Sequence, residues 1–136
     1  MKANELMLFD RVRRVKDKKP MIVTGLEYSE TISAITPDDM YYGDQEDYHE
    51  SKIEPIPLTA EILEKNGFDV TDSEVAQYHF EEDGQKMHFS LRKMYDKHGK
   101  HNGYSFWAFN ILPLVIYVHE LQHALKLCGI DKEITV

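Results

Sequence analysis

The residue pattern predicts an α+β fold: a small SH3-like β unit over residues 1–57, then a connecting helix, a three-stranded antiparallel meander and a C-terminal helix packed on it over residues 58–136. Three observations carry this expectation. Val, Ile and Thr cluster in short runs through the first third of the chain, as strands require. A strong two-residue turn, Asp83-Gly84, separates two segments in which apolar and polar residues alternate. Between Pro113 and Cys128 the apolar positions recur with helical spacing.

The N-terminal strands are expected at residues 6–15, 21–28, 31–36 and 52–56, with Lys18-Lys19-Pro20 breaking the first two apart. Residues 37–50 are acidic and lack a period, so they read as an exposed loop. Its tyrosines Tyr41, Tyr42 and Tyr48 are candidate recognition residues. After Pro55-Ile56-Pro57, Thr59 can accept from the free N–H groups of a first helical turn, and Glu61 suits the positive helix end. Asn66-Gly67 stops that helix, because glycine adopts the left-handed conformation cheaply.

A turn at Asp83-Gly84 sets the register of the next two strands: Glu82 opposite Gln85, Glu81 opposite Lys86, Phe80 opposite Met87, His79 opposite His88 and Tyr78 opposite Phe89. One face then carries Ala76, Tyr78, Phe80, Met87, Phe89 and Leu91, and the other carries polar side chains throughout. A third strand is expected at 104–110, following the loop that holds His98 and His101. The last helix is expected over 113–128, closed by Gly129, with a final strand at 133–136.

With 136 residues, 42% apolar and 29% charged, the chain can bury a core without disulfides or a structural metal. The single cysteine, Cys128, suits a reducing compartment and reads as a small buried hydrophobe. No basic start followed by an apolar run marks a secretion signal, and the apolar stretch 111–118 is too short to span a bilayer. A cytoplasmic location without membrane contact is expected. The net charge of −8 argues against a general nucleic-acid binder, since neutralising phosphates takes an excess of Lys and Arg.

The charge is unevenly spread. Seven bases (Lys2, Arg11, Arg13, Arg14, Lys16, Lys18, Lys19) stand against three acids in residues 1–20, and nine acids against Lys52 in residues 27–54. Either the two segments neutralise each other across a sheet, or the first is a patch for an acidic partner.

His119-Glu120-Leu121-Gln122-His123 fits the zinc-peptidase pattern, in which two histidines four residues apart on a helix hold one ion and the glutamate acts as general base on its water. Three features weigh against that chemistry. Val118, Leu121, Leu125 and Cys128 form the apolar stripe, so His119 and His123 are expected to point away from the core. A third ligand at the extended-motif position is missing, because Gly129 stands there. The chain is also short for a substrate cleft between two subdomains. His79 opposite His88 is a weaker pair on a polar face. No nucleophile elbow and no phosphate-binding glycine run is present.

The segments Glu54-Pro-Ile-Pro-Leu-Thr-Ala-Glu-Ile-Leu-Glu-Lys-Asn-Gly-Phe68 and Tyr117-Val-His-Glu-Leu-Gln-His-Ala-Leu-Lys-Leu-Cys-Gly-Ile130 resemble a group of short uncharacterised bacterial and mobile-element proteins that carry no assigned activity. The opening Met1-Lys-Ala-Asn-Glu-Leu-Met7 suits the same group. The resemblance implies no catalytic residues. It implies that the histidine-bearing helix is a framework element.

The expected function is therefore a non-enzymatic interaction module without cofactor. It would bind a protein, with nucleic acid the less favoured alternative, through Arg11, Arg13, Arg14, Tyr41 and Tyr42. The competing expectation is a zinc-dependent hydrolase, with His119 and His123 as ligands and Glu120 as base.

Overall fold

A computed structural model describes residues 1–2, 5–26, 30–37, 45–106 and 114–136. Among the described residues the architecture is α+β, with two antiparallel sheets of five and four strands and few helices. The chain forms two compact units, Met1–Ile56 with Val136, and Pro57–Thr135.

In the first unit, β1 (Arg11–Arg14), β2 (Pro20–Leu26), β3 (Thr31–Ile35), β4 (Glu46–His49) and β5 (Ile53–Pro55) form one sheet in the order β4-β3-β2-β1-β5. Every pairing is antiparallel. Alternate side chains from these strands, Val12, Met21, Val23, Ile32, Ala34 and Ile53, meet in a core that Leu6 joins from the segment before β1, with Met1 and Tyr48 against it. A single 3₁₀ turn, Glu50–Lys52, leads from β4 to β5.

Two expectations are corrected here. The first strand begins at Arg11 rather than at residue 6, because residues 7–10 close into a hydrogen-bonded turn. Part of the acidic stretch 37–50 is β4, an edge strand. Tyr48 supplies its one large apolar surface, and a strand paired on one side needs no more. Tyr41 and Tyr42 lie outside the described residues.

In the second unit, α1 (Ala60–Lys65) starts where Thr59 Oγ1 accepts from the Ile62 amide at 3.3 Å, and Gly67 ends it at φ 83°. The second sheet has the order β6 (Val75–Glu82), β7 (Gln85–Tyr95), β8 (His101–Phe106) and β9 (Leu114–Val115). Asp83 (φ 50°) and Gly84 (φ 75°) make the tight turn between β6 and β7, and Glu82↔Gln85 through Tyr78↔Phe89 pair in the anticipated register. Phe89 stacks on Phe106 at 4.4 Å between ring centroids and meets Phe68 edge-on at 6.3 Å.

The last helix, α2 (Val118–Leu127), is shorter than expected. Leu114 and Val115 pair with Ser105 and Tyr104 as a fourth strand, and Tyr117 is still extended (φ −120°, ψ 156°) where it caps the helix. Pro113 and residues 107–110 lie outside the described residues. The expected strand at 133–136 is not formed. The tail there is bonded to side-chain amides instead: Gln122 binds Ile134 N–H and Lys132 C=O, and Asn66 binds the N–H and C=O of Thr135. Among the described residues, no helix is long and apolar enough to cross a membrane.

Candidate functional site

The pentapeptide 119–123 is built into the second unit at every position. Glu120 stands at the third helical position, and its Oε2 accepts from the amides of Ile116 (2.7 Å) and Tyr117 (3.0 Å). It thereby satisfies donors that a helix start leaves open. Leu121 is fully buried, and Gln122 holds the C-terminal tail. His119 lies parallel to the Tyr117 ring at 5.9 Å and edge-on to His123 at 5.7 Å.

The orientation expected from the apolar stripe is thus corrected. His119 is 5% exposed, and only His123 is half-buried. The helix buries Val118, His119, Leu121, Gln122, Ala124 and Leu125, a band wider than one stripe, because the tail covers the flank that Gln122 faces. Among the described residues, no three or more His, Cys, Asp or Glu side chains converge as a metal site would require. Burial raises the Cys128 thiol pKa, which keeps it protonated and poorly nucleophilic.

In the first unit the oppositely charged segments meet. Glu54 Oε1 takes Arg13 Nε at 2.5 Å and Lys18 Nζ at 2.7 Å. Arg14 donates to both oxygens of Asp17, at 2.5 and 2.9 Å, and to the Tyr48 hydroxyl, which itself donates to Glu46. The hydrogen bond from Arg14 holds Asp17 at a pKa of about 2, and the bonds from Lys18 and Arg13 hold Glu54 below the usual carboxylate range. Arg11 is buried. Of the three arginines expected to contact a partner, Arg13 and Arg14 are half-buried with acids already in hand, and Arg11 presents almost no surface.

The feature that stands out instead is the turn before β1. Met7, Leu8 and Phe9 are consecutive and 46%, 49% and 57% exposed. Phe9 has φ 71°, the left-handed region, which a bulky side chain enters only at a cost of about 1–3 kcal/mol. Its conformation is held from behind. The Phe9 amide donates to Val23 C=O at 2.7 Å, the Val23 amide to Asp10 C=O at 3.0 Å, and the Asp10 amide to Met7 C=O at 3.2 Å. The fully buried Asp10 closes the turn by accepting from the Met7 amide at 2.7 Å. Backbone bonds that pull the main chain inwards thus leave three apolar side chains pointing out.

No family model matches the chain, and no curated protein or solved structure gives a match.

Sequence reasoning passed over this turn by reading residues 6–15 as one strand. The signal was there: Leu6-Met-Leu-Phe9 is an unbroken apolar run, which does not alternate as a half-buried strand should, and Asp10 follows it as a turn-forming residue.

Proposed function

We propose that the protein is a non-enzymatic interaction module that docks a protein partner through the apolar turn Met7-Leu8-Phe9 of an SH3-like N-terminal unit. The SH3-like reading is supported by five short antiparallel strands in which the first lies next to the last, with a 3₁₀ turn just before that last strand. The partner reading rests on one observation, a strained and exposed phenylalanine. Strain at φ 71° persists where surrounding structure enforces it, and here four hydrogen bonds do so. A rigid aromatic anchor loses little entropy on binding and suits an apolar pocket in a partner. Arg13 and Arg14 already hold acids, and paired charges of that kind add little affinity. A nucleic-acid partner is disfavoured by the net charge of −8.

The test is site-specific photocrosslinking from position 9 in the native host, with a probe at the exposed Met87 as control. A defined protein band is expected from position 9 only, competed away by excess untagged wild type but not by Phe9→Ser. Equal crosslinking from both positions, or competition by the serine variant, would remove the proposal.

A further inference from the structure

The second unit carries a different kind of surface. On the face of β6 and β7 opposite the core, the cross-strand pairs are Val75↔Arg92, Gln77↔Ser90 and His79↔His88. Val75, His88, Ser90 and Arg92 line a concavity of about 320 Å³ there. Arg92 is exposed, and none of the ion pairs among the described residues uses it. Ser90 Oγ accepts from Gln77 Nε2 at 3.4 Å, which leaves its own proton to donate. The His79 and His88 rings sit 6.1 Å apart beside it. Among the described residues, none of the lining side chains is a carboxylate. Two acids stand near it: Glu81 is the cross-strand neighbour of Lys86, and Asp69 accepts from the amide and hydroxyl of Thr71.

We propose that this groove binds a small phosphomonoester, with the phosphate on Arg92. The planar guanidinium fork matches two oxygens of a phosphate. A phosphate has a third acceptor oxygen outside that plane, which a hydroxyl or imidazole further along β7 can reach, whereas a carboxylate presents acceptors only in its own plane. Alternate residues on a strand lie about 7 Å apart, so donors running from Arg92 past Ser90 to His88 extend well beyond one bare ion. The volume sits at the lower end of small-molecule pockets, about 300–1,000 Å³, and the Val75 side chain gives carbon a place to rest.

The test is an NMR titration of the ¹⁵N-labelled full chain with ribose 5-phosphate, inorganic phosphate and gluconate. Ribose 5-phosphate is expected to saturate, to move amides of β6 and β7, and to bind more tightly than the other two. Arg92→Ala should weaken it about tenfold or more, as loss of a charge-assisted fork implies, and Arg92→Lys by less. Arg92 is exposed, so an unchanged amide spectrum should show that both variants fold, and Ser90→Ala gives a second, milder loss. The proposal is overturned if ribose 5-phosphate does not saturate, or if Arg92→Ala binds like wild type. It also fails if the shifts lie around the lysines of the first unit, or if inorganic phosphate or gluconate binds as tightly.

Discussion

Asp17 and Glu120 show how two carboxylates of this chain are committed to structure. For Asp17, the Arg14 bond lowers the folded pKa from 3.8 to about 2. A lowered folded value means the contact stabilises fully above the unfolded pKa and is lost as pH falls through the folded one. An NMR titration should therefore find the Asp17 carboxyl ionising near 2, and Arg14→Ala should return it towards 3.8. An unmoved midpoint would mean that Arg14 is not the cause. For Glu120, both bonds run to backbone amides at the start of α2. Glu120→Ala should cost about 1 kcal/mol in chemical denaturation, and Glu120→Gln less, because the amide oxygen still accepts. The pentapeptide around Glu120 could be spelled out from the sequence, but its roles could not. Helical periodicity places His119 off the apolar stripe, and periodicity carries no information about a tail that returns to cover a second flank.

Elements were legible where local chemistry decides them. Asp83-Gly84 needs positive φ at both central positions of its turn, and that requirement alone sets the pairing of β6 with β7. Thr59 and Gly67 likewise mark the ends of α1 by capping chemistry. Elements whose identity depends on a distant neighbour were missed. β4 has little apolar content and exists because β3 pairs with it, and β9 turns what reads as the first turn of a helix into a strand because β8 is beside it.

Gly103 makes that second pairing possible. It has φ 142°, and a Cβ there would lie 3.0 Å from Val115 C=O and 3.1 Å from Ile116 Cγ1. Gly103→Ala should destabilise by about 1–3 kcal/mol and speed amide exchange in β9, since a backbone oxygen cannot yield without parting the strands. Gly84→Ala is the comparison. It also has positive φ, but nothing lies within 4 Å of its added carbon, so it should cost less. Equal losses at the two sites would show that the close approach is unimportant.

At the scale of the molecule, each unit has its own sheet. In the second unit both ends are tied internally. Pro57 bridges to Tyr117, the Leu58 amide donates to Ile116 C=O, and Asn66 binds Thr135 through both its amide nitrogen and its oxygen. Its aromatic cluster, Phe68, Tyr78, Phe89 and Phe106, is drawn wholly from within it. The first unit spans 56 consecutive residues, a size at which folding buries about 60% of the unfolded surface and stability is marginal. A fragment of residues 57–136 should therefore fold by itself, with amide resonances overlaying those of the same residues in the full chain. A fragment of residues 1–56 should unfold at lower denaturant. The tail bonds decide between this view and a single cooperative fold. Gln122→Ala leaves the Ile134 amide without its acceptor, and it should accelerate exchange in the tail equally in the fragment and in the full chain. A collapsed spectrum for the 57–136 fragment, or a tail protected only in the full chain, would mean that the second unit borrows its stability from the first.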